Sequence, residues 1–266
     1  MRWIAHAVMG PDDHSGSTRR SRPSAMSSST SHSGVTGANR GLGRALVKAS
    51  LAARAKRVYA GARDPARLRD LVAMAPDQVV PLELDITSAG SLAAAAASAG
   101  DVTILVNNAG VLAAYGVLAS TPAELEADFA TNFFGTLAAT RAFLPALERA
   151  ERAAIVNVLS VVSLANMPAL GGYSAAKAAS FSATQALRGE LAKKKVSVHG
   201  GFPGLIDTDM VRHMEMPKTS PEEVARAIVE GVEAGREEIL PDPASRQMFE
   251  VWRRDPKALE RQLAGA

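Results

Sequence analysis

Apolar residues in this chain fall into short continuous runs that alternate with segments of helical periodicity. The runs predict strands at 57–62, 79–84, 102–106, 155–159, 196–202 and 238–240. The periodic segments predict helices at 43–55, 65–75, 88–99, 122–150, 172–193, 221–234 and 243–263, with a break in the longest near Thr131 and Asn132. Strands that alternate with helices are joined by right-handed crossovers. The pattern therefore predicts an α/β fold, a doubly wound parallel sheet with helices on both faces.

The first 33 residues differ from the rest of the chain. They are rich in serine and arginine and show no apolar period, so we expect residues 1–33 to form a disordered tail. We expect residues 34–266 to form one domain. Its cofactor half is predicted at 34–120, its catalytic and substrate half at 121–242, and its C-terminal helix at 243–263.

The strand expected just before residue 36 is the weak point of this pattern. A central parallel strand is normally apolar, but residues 31–35 read Ser-His-Ser-Gly-Val. Burying a hydroxyl or an imidazole without a partner costs about 1–3 kcal/mol. Three explanations stay open: a wrong reading frame or start at the N-terminus, a fold that is intact but weakened, and a pseudo-enzyme. The sharp recovery of the pattern at Val35 and Thr36 favours the first.

Composition removes several classes of function. The chain has no cysteine, which excludes disulfides, thiol catalysis and cysteine–metal sites, and its 5 histidines show no metal-ligand spacing. We therefore expect no metal site. The net charge is +3 without a dense basic stripe, so we expect no nucleic-acid partner, although a binder acting through the basic tail stays an alternative. No apolar stretch is long enough to span a bilayer, and we expect a cytoplasmic protein without a membrane partner.

A glycine-rich turn opens the first predicted helix, with the sequence Thr-Gly-Ala-Asn-Arg-Gly-Leu-Gly at 36–43. Glycines let the backbone approach a pyrophosphate, whose charge the helix N-terminus favours. In a Rossmann fold an acid about twenty residues further on binds the ribose, but here Ala62 and Arg63 occupy that place. Arg63 together with Arg40 suits a 2′-phosphate and favours NADP, while Asp64 keeps NAD open as the lesser option.

Further candidates lie where predicted strands end. Asp85, after the predicted strand 79–84, either accepts a hydrogen bond from an adenine amine or caps the next helix. Asn108 and its neighbours follow an apolar strand and either line the cofactor ribose or fix neighbouring backbone, and a plain turn is the remaining alternative. The predicted cofactor-binding residues of this half are Gly37, Asn39, Arg40, Gly41, Leu42, Gly43, Arg63, Asp85, Ile86, Asn108, Ala109 and Gly110.

Tyr173 and Lys177 are four residues apart on a predicted helix, so their side chains share one face. A free tyrosine has a pKa of about 10, which makes it a poor proton exchanger at neutral pH. A nearby ammonium favours the phenolate, and we expect Lys177 to lower the pKa of Tyr173. Ser160 stands upstream, at the end of the predicted strand 155–159.

Together these motifs resemble the short-chain dehydrogenase/reductase (SDR) family in its single-domain branch, over residues 36 to about 210. The resemblance implies a catalytic set of Ser160, Tyr173, Lys177 and Asn132, and it adds Tyr173, Lys177, Pro203 and Thr208 to the cofactor contacts. It implies hydride transfer between NADPH and a carbonyl or alcohol carbon. Ser160 would polarise the carbonyl, Tyr173 would exchange the proton, Lys177 would hold the nicotinamide ribose, and Asn132 would carry a water. Family members commonly form dimers or tetramers through two long helices.

The substrate side of the sequence is less informative. Methionines at 210, 214 and 216 fall in a segment, 205–218, that we expect to cover the substrate as a mobile flap, and adaptable thioethers suit an apolar pocket. The expected substrate is a small hydrophobic carbonyl compound or alcohol. The main rival function is a cofactor-binding pseudo-enzyme or scaffold with a compromised first strand.

Overall fold

A computed structural model describes residues 31–265 of the chain. Within this range the strands form one parallel sheet of seven, in the order β3-β2-β1-β4-β5-β6-β7. Its strands are β1 His32–Val35, β2 Arg57–Ala62, β3 Val79–Glu83, β4 Ile104–Asn107, β5 Ala153–Val158, β6 Val196–Gly201 and β7 Glu238–Ile239. The order reverses between β1 and β4, and this is where doubly wound sheets bind ligands. The predicted α/β fold is confirmed.

Helices connect these strands and cover both faces. They are α1 Gly41–Ala52, α2 Arg69–Met74, α3 Ala89–Ser98, α4 Pro122–Phe129, α5 Thr136–Arg149, α6 Gly171–Glu190, α7 Pro221–Glu233, α8 Pro243–Arg254 and α9 Pro256–Ala264. Apolar residues of α1 and α7 form the core on one face of the sheet, and those of α3 and α5 form it on the other. The sheet is therefore buried on both sides, as a parallel sheet requires.

Local sequence explains where several helices begin. Ser220 accepts a hydrogen bond from the backbone N–H of Glu223, whose carboxylate accepts one in return from the backbone of Ser220. Pro221 occupies the first helical position, where a missing N–H costs nothing. Thr121 and Glu124 form the same reciprocal cap before α4. These short motifs fix the starts of α4 and α7 without help from the rest of the chain.

One helix prediction needs correction, and the predicted break in another is confirmed. The helix predicted at 243–263 is two helices, because Asp255 adopts an extended conformation before Pro256, which cannot continue α8. The long helix predicted at 122–150 consists of α4, a π-helical turn at Ala130–Gly135, and α5. That turn contains the predicted break at Thr131 and Asn132, and π-turns of this kind frequently lie at functional sites.

The predicted tail at 1–33 lies outside the described residues as far as residue 30. At its other end the predicted boundary is wrong, because His32 and Ser33 belong to β1. This strand pairs with β2 on one side and β4 on the other, so the polar sequence still occupies the centre of the sheet. His32 lies at the start of the strand, where its Nδ1 is 2.9 Å from Asp101 Oδ2.

The small residues of β1 leave space in the core. Ser31 and Ser33 line a cavity of about 40 Å³ together with apolar side chains of α1, β4, β5 and α7. Both serines are less than 5% exposed. The weak first strand is therefore tolerated, and the consequence of its composition is imperfect packing at the amino ends of the central strands.

Candidate active site

The turns that follow β1, β4, β5 and β6 meet at the carboxyl edge of the sheet, and they bring most of the predicted site residues together. The glycine-rich turn after β1 is held by close contacts with the turn after β4. Gly37 has a φ of +67°, and a Cβ there would come within 2.9 Å of the Ala109 Cα. A Cβ on Gly43 would overlap the carbonyl oxygen of Gly37 and lie 2.6 Å from Asn108 Nδ2. Glycine is required at both positions.

Thr36 and Asn108 fasten these two turns to each other. The Thr36 hydroxyl oxygen accepts hydrogen bonds from the backbone N–H groups of Asn108 at 3.0 Å and Ala109 at 2.9 Å. In return, the Asn108 side-chain amide donates to the carbonyl of Thr36 at 2.9 Å and approaches that of Gly37 at 3.3 Å. Asn108 therefore fixes backbone, the alternative role that its position in the sequence left open.

The N-terminus of α1 is suited to an anion. The side chain of its N-cap residue, Arg40, does not cap it, and its first turn contains no acidic residue, so its N–H groups and the helix dipole favour a phosphate. Arg40 and Asn39 lie in the turn just before the helix. The side chain of Leu42, by contrast, is buried in the core, so any cofactor contact at Leu42 is limited to its backbone.

The two arginines predicted to select NADP lie at the ends of neighbouring strands. The turn containing Arg40 is joined to β2 by a 2.8 Å hydrogen bond from the Ala38 N–H to the Gly61 carbonyl. Arg63 follows β2 and is exposed. The Asp64 carboxylate accepts a hydrogen bond from the Ala66 N–H and caps the 3₁₀ turn at 65–68. The acid that kept NAD open thus has a local structural role.

Asp85 and Ile86 follow β3. The Asp85 carboxylate accepts hydrogen bonds from the N–H of Thr87 at 2.9 Å and its hydroxyl at 2.7 Å, and these bonds hold the pKa of Asp85 below its usual range. Arg63 lowers the same pKa further. Ile86 is buried against Gly135 of the π-turn, where a Cβ would lie 2.9 Å from its side chain. Ile86 therefore connects the third strand to the helix segment that carries Asn132.

Lys177 is held in a defined place at the centre of the site. It is 5% exposed, and its Nζ donates a 2.8 Å hydrogen bond to the carbonyl of Val158 at the end of β5. Its Nζ lies 5.7 Å from the centroid of the Tyr173 ring. The two residues predicted to act together are therefore adjacent on α6, with the lysine tied to the strand that leads to Ser160.

The pKa shifts of Tyr173 and Lys177 differ from those expected for a tyrosine whose phenolate is favoured by a nearby ammonium. Burial is the largest influence on both groups: it lowers the pKa of Lys177 to about 8 and raises that of Tyr173. The charge of Asp128 raises the pKa of Tyr173 further, whereas it opposes the lowering of the pKa of Lys177. The expected lowering of the Tyr173 pKa by Lys177 is thus wrong for this structure, because desolvation of the phenolate dominates.

Ser160 begins a 3₁₀ turn at Val161–Ser163 that packs beside α6. Its hydroxyl lies 3.5 Å from the carbonyl of Pro203 and accepts a hydrogen bond from the Val162 N–H at 3.4 Å. Pro203 also accepts a bond from the Val161 N–H, so the Pro203 segment adjoins the serine. Thr208 follows, and its methyl group would be 3.0 Å from a Cβ on Gly41. The segment after β6 therefore spans from Ser160 to the glycine-rich turn.

Asn132 lies in the π-turn and is 1% exposed. Its side-chain amide forms a pair of hydrogen bonds with the backbone of Val111, at 2.9 and 3.2 Å. A Cβ on Gly110 would be 2.8 Å from Asn132 Oδ1 and 3.8 Å from Lys177 Nζ. Gly110 is thus the point where the cofactor half meets Asn132 and Lys177.

A buried chain of hydrogen bonds, which the sequence did not reveal, supports Asn132. The Asn107 amide on β4 donates to the hydroxyl of Thr140 and to Asn157 Oδ1. Further bonds lead along α5 and α6 until two hydroxyls donate to the carbonyl of Asn132. On α5, the Thr140 hydroxyl donates to the Thr136 carbonyl, and the Thr136 hydroxyl donates to the Asn132 carbonyl. On the other branch, the Asn157 amide donates to the Thr184 hydroxyl, which donates to the Ser180 carbonyl, and the Ser180 hydroxyl donates to the Asn132 carbonyl.

Asp128 is a second buried polar residue that sequence reasoning missed. It is fully buried on α4, and its carboxylate accepts hydrogen bonds from the backbone N–H groups of Ala113 and Ala114. Burial raises the pKa of Asp128, against the lowering influence of these bonds and of Lys177. Asp128 lies four residues before Asn132, which places both on one helix face. This spacing is the feature of the sequence that could have identified Asp128 as a site residue.

Comparison with known proteins shows which family this chain belongs to. The sequence profile of the short chain dehydrogenase family matches residues 32–218, more than half of the chain. This chain belongs to that family. The predicted resemblance is confirmed.

In the described part of the chain, no group of three or more histidine, cysteine or acidic side chains is arranged to hold a metal ion.

Individual relatives of the family differ in how much they share with this chain. Short chain dehydrogenase pigC of Monascus ruber is 34% identical over 190 residues, which cover 66% of this chain and 63% of the relative. Short chain dehydrogenase tazN of Aspergillus terreus is 37% identical, over 54% of this chain and 34% of the relative. The chain therefore spans less than two thirds of the length of these curated relatives.

Solved structures of the family match more completely. A short chain dehydrogenase from Burkholderia cenocepacia J2315 in complex with NADP is 38% identical, with a TM-score of 0.84 over 90% of this chain and 99% of that one. An SDR from Burkholderia phymatum in complex with NAD is 24% identical, with a TM-score of 0.79 over 88% of this chain and 96% of that one. At the lower identity the likeness concerns the fold alone.

Proposed function

We propose that this protein is an NADP-dependent oxidoreductase that interconverts a carbonyl compound and the corresponding alcohol. The observation that carries the proposal is the convergence at Gly110, where the turn after β4 meets both Asn132 Oδ1 and Lys177 Nζ. A pure binding module has no need for a buried lysine beside a tyrosine at this point. Relatives within the family supply the precedent for the reaction class.

The residues around α1 fit a dinucleotide. The helix N-terminus without a cap or an acid would hold the pyrophosphate, and the glycines at 37 and 41, both with positive φ, let the backbone approach it. Arg40 and Arg63 would face the 2′-phosphate. The structural role of Asp64 as a cap, and the NADP bound to the 38% identical relative, both support NADP over NAD.

Bound cofactor would supply or accept the hydride, and the protein's part is position and proton transfer. We propose that Tyr173 gives its proton to the substrate oxygen during reduction and recovers it during oxidation. Its raised pKa keeps the phenol protonated at neutral pH, which is the form that carbonyl reduction requires. Ser160 would donate a hydrogen bond to the same oxygen, Lys177 would hold the cofactor ribose, and Asn132 would carry the water that the resemblance implies.

Exposed apolar side chains support a hydrophobic substrate. Tyr115 and Val117, in the loop between β4 and α4, are 49% and 53% exposed, and Met216, after β6, is 53% exposed. The Tyr115 ring meets His213 edge-on, with centroids 6.3 Å apart, so the two segments are in contact. A small apolar ketone, aldehyde or secondary alcohol is the substrate class that such a rim favours.

The expected dimer or tetramer and the cytoplasmic location stay predictions.

NADPH and NADH titrations, followed by fluorescence and thermal shift, test the proposal on the wild-type chain and on Tyr173→Phe. We expect both proteins to bind NADPH and to bind NADH more weakly. Reduction of apolar ketones and aldehydes should fall by about 10²- to 10⁴-fold in the variant, the usual contribution of acid–base catalysis. Binding of NADPH by the wild type without turnover of any carbonyl would instead favour the pseudo-enzyme.

Arg63→Ala tests the choice of cofactor, with the exposed Arg69→Ala at the start of α2 as its matched control. We expect the NADPH Kd to rise about tenfold or more in Arg63→Ala, as loss of a charge-assisted bond implies. The NADH Kd should stay unchanged, and the control should behave as the wild type. Equal weakening of both cofactors would contradict recognition of the 2′-phosphate.

A further inference from the structure

We propose that Asp128 is a positioning residue that fixes the loop at 113–117 against the first turn of α6 and uses its buried charge to set the proton equilibrium of the Tyr173–Lys177 pair. This inference rests on the proposed function, since it assigns a further residue to the same site. It rests on contacts of Asp128 that are separate from the hydrogen bonds of Ser160 and Asn132 already described. Its basis is a carboxylate that is buried without a direct ion pair to an arginine or lysine in the described structure.

The carboxylate of Asp128 holds the loop through both of its oxygens. Oδ1 accepts a hydrogen bond from the Ala113 N–H at 2.9 Å, and Oδ2 accepts one from the Ala114 N–H at 3.0 Å. Asp128 and Ala114 are both fully buried. Bonds to an ionised acceptor are about twice as strong as neutral ones, and losing them would leave two backbone donors unpaired. Asp128 is therefore the principal anchor of this loop on α4.

The same loop lies directly against the residues that precede Tyr173. The Gly172 N–H donates to the Tyr115 carbonyl at 3.3 Å. A Cβ on Gly172 would be 2.5 Å from the Ala114 Cβ and 3.7 Å from Asp128 Oδ2. A Cβ on Gly171 would be 2.6 Å from Val117. Close approach at both glycines allows the loop, the carboxylate and the start of α6 to form one packed unit.

The far side of the loop faces the substrate region. Tyr115 and Val117 are about half exposed, and the Tyr115 ring contacts His213 in the segment after β6. Movement of the loop would therefore displace the apolar rim that we assign to the substrate. Loss of the Asp128 anchor should weaken substrate binding more than cofactor binding, because the glycine-rich turn lies on the other side of Gly110.

The Asp128 carboxylate lies beside the first turn of α6, where its Oδ2 is 3.7 Å from the position of a Cβ on Gly172, the residue before Tyr173. Its negative charge disfavours loss of the proton from Tyr173 and also from Lys177. Both influences have the same sign, so the pair keeps its protons to higher pH than it would beside a neutral side chain. The loop contributes the backbone N–H groups of Ala113 and Ala114 to this environment.

Asp128→Asn tests both parts of the proposal, with Glu126→Gln as the matched control. Glu126 is an exposed acid on the same helix, so its variant removes an equal charge at the surface. In Asp128→Asn we expect the pH profile of kcat for carbonyl reduction to move to lower pH. The KM for an apolar ketone should rise about tenfold, since a charged hydrogen bond is lost. The NADPH Kd should change less than about twofold, and the control should match the wild type throughout.

A second variant separates the loop from the charge. Gly172→Ala places a methyl group against Ala114 and keeps the carboxylate, so KM should rise while the pH profile stays where it is. It also provides the test of the loop if Asp128→Asn does not fold. An unchanged pH profile in a folded Asp128→Asn would overturn the charge role, and an unchanged KM in either folded variant would overturn the loop role. Failure of the wild type to reduce any carbonyl would instead overturn the proposed function.

Discussion

At the scale of single residues, Lys177 shows how a site residue conflicts with stability. Its ammonium is buried beside Tyr173 and the Val158 carbonyl, and burial lowers its pKa from 10.5 to about 8. The unfolded chain therefore binds this proton more tightly than the folded one does. The resulting destabilisation, about 3 kcal/mol from the size of the shift, is present in full below pH 8. It disappears as the pH rises towards 10.5.

Lys177→Met should therefore stabilise the fold at neutral pH while it removes activity. The lost hydrogen bond to Val158 offsets about 1 kcal/mol of the gain, which leaves a net gain of about 2 kcal/mol, or roughly 4–8 °C in Tm for a chain of this size. Thermal unfolding at pH 7 and pH 10 measures the gain, which should shrink at the higher pH. Lys193→Met, at an exposed lysine, is the control, and an equal Tm change in both variants would contradict the role of burial.

At the scale of elements, the glycine-rich turn is shaped by contacts with a distant turn as well as by its own conformation. Gly43 lies in α1, where any residue could adopt the backbone angles, yet a Cβ would overlap the Gly37 carbonyl. Glycine is therefore needed at this position because the Gly37 carbonyl approaches the helix too closely for a side chain. The neighbouring Asn108 amide, which bonds to the same turn, would also have to move.

Gly43→Ala should lower the free energy of unfolding by about 1–3 kcal/mol, the usual effect of overpacking, and should abolish NADPH binding by displacing the turn. Gly90→Ala, in α3, is the matched control because a Cβ there meets no atom within 4 Å. That control should raise stability by about 0.5–1 kcal/mol through helix propensity. Urea denaturation and NADPH titration check both variants. Retained NADPH binding in Gly43→Ala would show that the turn can move without loss of function.

At the scale of the whole molecule, the central strand β1 determines how well the two halves of the domain pack. Its position between β2 and β4 is set by backbone pairing, which its polar side chains do not prevent. The cavity next to Ser31 and Ser33 is the result. The carboxyl edge of the sheet, where the proposed active site lies, is at the other end of the strand, and there Thr36 joins the two turns by hydrogen bonds. A weak core at one end is thus compatible with an ordered site at the other.

Ser33→Val should fill part of this cavity and stabilise the protein by about 1–2 kcal/mol, from added apolar burial and removal of a buried hydroxyl. Ser33→Thr adds one methyl group and keeps the hydroxyl, so its gain should be smaller. Chemical denaturation of the three proteins measures the series. A valine variant less stable than both the serine and the threonine proteins would mean that the Ser33 hydroxyl forms a stabilising interaction.

Local patterns in the sequence predicted the alternation of strands and helices, and with it the fold, because hydrophobic periodicity is a property of neighbouring residues. They also predicted that Tyr173 and Lys177 lie near each other on one helix, since their spacing alone places both on one face. Pro256, which ends α8 at Asp255, is also a local signal, but the prediction of one helix at 243–263 did not use it. For Asn108 the sequence left a ribose contact and a backbone role open, and its hydrogen bonds to the Thr36 and Gly37 carbonyls give it the backbone role.

The direction of the Tyr173 pKa shift and the roles of Asp128 and of the chain from Asn107 to Asn132 were decided by the tertiary structure. They depend on burial and on partners up to about fifty positions away, such as the 50-residue separation of Asn107 and Asn157. A sequence pattern records which side chains are present and at what spacing. The desolvation of a charge, and the backbone groups left to bond with it, exist only once α4, α6 and the loop before Gly116 are packed together.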